Sequence, residues 1–169
     1  MVGRVTLTVL LALLLAALAS SGAFAKASAT YDYNASGIET GVPTGNTSQF
    51  AGTAIGPLGF AVWKATVPHD PLDVCGTTAI VSGGSFNLAG FNGVRLAGVF
   101  TGGSVTAPPG FCSSAGPVAC VNETFGIDGA LTINGMAAKF LGTLTHYNTV
   151  LGGSCVTYFA TISGHFSVG

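Results

Sequence analysis

Charge is the scarcest thing in this chain. Among 169 residues, five are Lys or Arg, six are Asp or Glu and three are His. Beyond Arg4 the cations are Lys26, Lys64, Arg95 and Lys139, scattered singly. Binding to nucleic acid rests on neutralising phosphates with a basic patch, so nucleic acid is not expected as a partner. Disorder goes with low hydrophobicity and high net charge. Here 49% of residues are hydrophobic, so the chain should fold.

Other absences narrow the chemistry. There is no G-x-S-x-G, H-E-x-x-H or G-x-G-x-x-G and no calcium-loop pattern. No C-x2-C pair occurs, and no His stands at ligand spacing from a Cys, which argues against zinc. No cofactor and no metal site is therefore expected. Helical periodicity is also missing after residue 25. Gly-Gly-Ser recurs from Gly83, Gly102 and Gly152, but a phosphate loop needs a following helix, so these triplets read as turns.

The one long apolar run is Val5–Ala19. It follows a short basic start, Met1–Arg4, and leads to Ala23-Phe24-Ala25, a small-x-small site. Residues 1–25 read as a secretory signal peptide cleaved before Lys26. A retained membrane anchor is disfavoured, because the run is shorter than the roughly 20 residues that span a bilayer. Residues 26–169 suit a single domain, and no membrane association is expected once the signal is removed. Cys75, Cys112, Cys120 and Cys155 in an exported chain read as two disulfides. Cys112 and Cys120 bracket a short Ser/Ala/Gly/Pro loop and can close it, leaving Cys75 for Cys155, although four cysteines allow three connectivities.

What recurs along residues 26–169 is alternation of apolar with polar residues, rich in Thr, Val, Phe and Ile and broken by Gly, Pro and Asn. The pattern places strands at Thr30–Ser36, Thr47–Ile55, Phe60–Val67, Gly76–Val81, Ser85–Phe91, Val94–Thr106, Val121–Ile133, Met136–Asn148 and Ser154–Val168. Asn92-Gly93 and Asn134-Gly135 are preferred centres of two-residue hairpins. The fold expected is all-β: an antiparallel up-and-down meander of about eight or nine strands, closed as a small barrel. A β-sandwich is the alternative, with a crossover hidden near Pro108, Pro109 and Pro117.

Turning at Asn134-Gly135 sets Ile133 against Met136, Phe125 against Leu144 and Glu123 against His146. Closing the next hairpin through a five-residue loop, Thr149–Gly153, sets His146 against Val156 and Leu144 against Tyr158. All large residues then share one face, and a slip of one residue would invert it.

Glu123 and His146 so fall in one row at the end of the apolar face. They are candidates for a general acid/base pair, with Tyr158 diagonal to His146. The plainer reading is a polar contact that closes the end of a core, and the lack of any accompanying nucleophile favours it. Trp63, Tyr147 and Phe159 are candidate ligand-stacking or partner-facing aromatics, although Trp63 suits a core equally. His69-Asp70 between Pro68 and Pro71 reads as a surface loop, and His165 as solvent-exposed. Asn34, Asn46 and Asn122 begin glycosylation sequons.

Three functions rank in this order: a secreted, non-enzymatic binding domain for a small apolar ligand or a surface partner; a small barrel enzyme using Glu123 and His146; and an outer-membrane barrel. The second requires both residues to point into a solvent-reaching pocket. The third requires the apolar rows to face outward. With two disulfides, each stabilising by roughly 2–4 kcal/mol, the exported protein should take up no alkylating reagent before reduction. Intact mass spectrometry reads this directly, and two reactive thiols would refute it.

Overall fold

The alternating runs become nine strands in a computed structural model, which describes residues 31–40, 46–71, 78–108 and 120–169. They are β1 (Tyr31–Glu39), β2 (Thr47–Gly56), β3 (Gly59–Pro68), β4 (Thr78–Ile80), β5 (Ser85–Gly90), β6 (Arg95–Thr106), β7 (Glu123–Ile133), β8 (Met136–Leu151) and β9 (Ser154–Val168). The expected signal peptide, Cys75 and Cys112 lie outside the described residues.

Apart from the short β4, each strand pairs antiparallel with the next along the chain, and β9 returns to pair with β1 from Tyr31↔Val168 to Ile38↔Thr161. β6 pairs with β5 on one edge and with β7 on the other, so eight strands close into a barrel. The short β4 lies beyond β5 on the same edge of β6. A bridge between His69 and Val81 carries it alongside β3. The sandwich alternative fails here, because β6 and β7, on either side of the proline-rich stretch, are direct neighbours.

The Asn134-Gly135 turn forms as the sequence predicts. Asn134 has φ 49° and Gly135 φ 80°, the left-handed pair that a type I′ hairpin needs. The register follows, with Phe125↔Leu144 and Glu123↔His146. The next hairpin differs from the expectation. β8 runs on to Leu151 and turns tightly at Gly152-Gly153, with φ 61° and 84°. His146 is opposite Ala160 and not Val156, and Leu144 is opposite Ile162 and not Tyr158. This is a slip of four residues, and an even slip leaves the same side chains on the inner face. A bulge at Tyr147/Asn148 takes up the difference in the extension of β8 and β9.

That extension also decides the disulfide. Cys155 lies opposite Val150 on the long hairpin, and Asn148 Nδ2 donates to Val121 O (2.8 Å), holding the hairpin beside the entry to β7. Cys120 therefore bonds Cys155, with Cα atoms 5.4 Å apart. The expected Cys112–Cys120 and Cys75–Cys155 pairing is overturned. A second disulfide would have to join Cys75 to Cys112.

Inside, the core runs through Tyr33, Phe125, Ile133, Phe166 and Val168, all fully buried. Burying each such side chain contributes about 1.5–3 kcal/mol. Outside, hydroxyls meet across strands: Thr124 with Thr145 (3.1 Å) and Thr143 with Ser163 (3.3 Å). Lys139 pairs there with Asp128 (3.1 Å).

Trp63 is a core residue. It is 5% exposed, and its Nε1 donates to Ser36 O (3.2 Å) and Thr53 O (3.0 Å). Its ring reaches those carbonyls only because Gly52 and Gly37 stand beside it in the same row. A Cβ on Gly37 would lie 2.8 Å from Trp63 Cζ2 and 2.5 Å from Ala51 O. Gly37→Ala should therefore cost about 1–3 kcal/mol by overpacking. Gly126→Ala, where nothing lies within 4 Å, should be neutral or slightly stabilising. Urea denaturation compares the two, and equal losses would contradict this account of the Trp63 seat.

Candidate functional site

The barrel is not filled. A cavity of about 160 Å³ lies inside it, walled by aromatic side chains including Phe50, Trp63, Phe86, Phe100, Phe140 and Phe166. Ile127, Leu144 and Ile162 complete the apolar lining. The far end is closed by buried residues such as Tyr33, Leu88, Leu96, Ile133 and Val168. Polar lining is confined to the opposite end, where β1 finishes, β2 begins and β3 has just ended: Glu39, Ser48, His69 and His146.

The chain builds this polar end by register. His146 pairs with Ala160, and Ile38 pairs with Thr161, so the next residue of β1, Glu39, stands beside Ala160. Glu123, His146, Ala160 and Glu39 thus form one inward row. The small Ala160 lets Glu39 reach across to His146, leaving Oε2 3.8 Å from Nε2. The Glu39 side chain keeps 9% of its exposure and that of His146 22%. At 3.8 Å the two do not hydrogen-bond, and His146 Nε2 is buried without a hydrogen-bond partner among the described residues. Phe125 packs on the imidazole, ring centroids 5.0 Å apart. Burial pushes the His146 pKa down, while Glu39 and then Glu123 pull it up with lesser force.

Ser48 and His69 complete the polar end. His69 Nδ1 donates to the Asp70 carbonyl (2.8 Å). In the neutral ring Nε2 is then the acceptor, and the Ser48 hydroxyl donates to it (3.2 Å). His69 was expected in a surface loop. It instead faces the cavity, because the bridge to Val81 draws it against the sheet.

The other candidates are not brought together. Glu123 is directly opposite His146 in the ladder, but its carboxylate accepts from Asn148 Nδ2 (3.2 Å) and does not line the cavity. Tyr158, two residues before the Ala160 that faces His146, falls at the bulge in the ladder and is 68% exposed, outside the cavity lining. Tyr147 and Phe159 pack on each other at 5.8 Å away from the cavity. His165 is exposed as expected and meets Asp32 (3.2 Å). The residues missed are Glu39 and Ser48. An inward parity carried through Gly37 to Glu39 would have found the first. No family model matches the chain, and neither a curated protein nor a solved structure is similar enough to match.

The lowered His146 pKa sets a sign for pH dependence. Between the folded and unfolded pKa values the unfolded chain binds the proton that the folded chain refuses. Stability from this group is complete above the ordinary imidazole value, and declines as the pH falls below about 6.5. The native protein should therefore lose more stability than His146→Gln between about pH 7 and about pH 5. Parallel curves from thermal melting would contradict the assignment.

Proposed function

We propose that this chain is an exported β-barrel binding protein for a small, largely apolar molecule held inside the barrel. The observation that carries the reading is the interior cavity of about 160 Å³ with aromatic walls and polar groups at one end. A few convergent polar groups on an apolar pocket are the usual makeup of a ligand site. An apolar cavity of about 150 Å³ stays dry and takes up benzene, which sets the scale of the occupant. The Cys120–Cys155 bond supports export, being compatible with an extracytoplasmic location.

The rival readings lack support from the same geometry. Acid/base chemistry by Glu123 and His146 needed both in the pocket, and only His146 lines it. A membrane barrel needed its apolar rows outward, and Phe125, Leu144 and Ile162 are buried inside.

Trp63 is the chain's one tryptophan and lines the cavity, so its emission reports occupancy. Toluene should bind with a dissociation constant on the order of 0.1–1 mM and change that emission. Ala65→Leu and Ile127→Phe narrow the cavity from two sides. Each should weaken toluene by about tenfold while the fold is kept. Equal affinity in the native protein and both variants would sink the reading.

A further inference from the structure

We infer that the molecule held in the barrel is a neutral single-ring phenol, its hydroxyl bridging Glu39 Oε2 and His146 Nε2. This rests on the reading of the barrel as a ligand-binding cavity and goes further, to the chemistry of the polar end. The two atoms are 3.8 Å apart, too far to bond each other. One oxygen about 2.8 Å from both spans the gap, with an angle of roughly 85° between its two partners. His146 Nε2 is the buried polar atom left without a partner among the described residues, and it lines the cavity.

The inventory of donors and acceptors selects the group. A carboxylate accepts and cannot donate, so it leaves another acceptor and a like charge facing it. The imidazole is kept neutral by burial and donates through Nε2–H in one tautomer. A hydroxyl donates once and accepts, which satisfies both neighbours together. A ligand carboxylate or phosphate would be repelled by Glu39, with Glu123 in the same row. A carbonyl would accept from Nε2 but offer Glu39 nothing. An ammonium brings a full charge and three donors into a cavity whose walls are almost wholly apolar, and taking that charge out of water is costly. Those walls are aromatic and the volume is close to one ring, which places a ring on the hydroxyl.

Calorimetric titration of the native protein with four probes of similar size tests this. p-Xylene and p-cresol differ by a methyl replaced with a hydroxyl, and benzylamine and benzoate carry the two charges. p-Cresol should bind at least about tenfold more tightly than p-xylene, since a site built for a hydroxyl rejects the analogue without it. Benzylamine and benzoate should be weaker than p-cresol. In Glu39→Leu and in His146→Leu, which remove the hydrogen-bonding atoms altogether, the advantage of p-cresol should disappear, while retained binding of p-xylene shows that the variants fold. If p-xylene matches or exceeds p-cresol in the native protein, the cavity is a bare apolar site: the hydroxyl assignment falls and the binding reading stands. If benzylamine binds most tightly, Glu39 serves a cation and the assignment also falls. If none of the four binds, the binding reading falls and takes the assignment with it.

Discussion

Everything in this molecule depends on the pairing of β9 with β1. A strand edge exposes unpaired N–H and C=O groups, and soluble sheets blunt such edges with charge, above all Lys. This chain has few charges to spend there. Joining its last strand to its first gives each barrel strand a neighbour on both sides, so the barrel itself has no open edge. The same closure turns the apolar face of every hairpin inward. A three-stranded piece such as β7–β9 would otherwise leave that face in water.

Closure also creates the site. Glu39 and His146 belong to opposite ends of the sequence and meet only because β1 and β8 flank β9. The residue between them matters as much as they do. Ala160 is the smallest member of the row, and a larger side chain there would stand in the way of the carboxylate. One end of the barrel is packed shut by Tyr33, Ile133 and Val168, and the polar row occupies the other. The cavity therefore has a direction, with an apolar depth and a hydrogen-bonding end.

The fold was largely legible because period-two alternation survives along most strands and Asn134-Gly135 names its own turn. The site was half legible, and the reasons are local. Gly37 looks like the end of a strand, and a strand that stops at Ser36 leaves Glu39 outside, whereas β1 runs on to Glu39. The glycine is there to seat the indole of Trp63, a long-range contact that no neighbouring residue announces. The slip in β9 has a different origin. Alternation reports which face a residue occupies but not how far along the strand it lies, and shifts of two or four look alike. Gly152-Gly153 could have fixed the turn, yet Thr149–Gly153 was an equally ordinary loop. The shorter hairpin that this loop implies puts Val156 in the place of Ala160. The Cys120–Cys155 bond depends on the same turn, since only the long hairpin brings Cys155 beside the start of β7.

The contact that completes the barrel joins strands from the two ends of the described chain, and this bears on how the protein comes to be folded. Pairings between residues distant in sequence form slowly, because the loop must close before the contacts repay it. Until β9 has been synthesised, β1 and β8 each keep an open edge, and the apolar interior has no fourth wall. An emerging chain can make its hairpins one by one but cannot become a barrel. It stays unlocked for the whole of its synthesis, a condition suited to threading through a membrane pore and hazardous wherever unfinished chains meet one another.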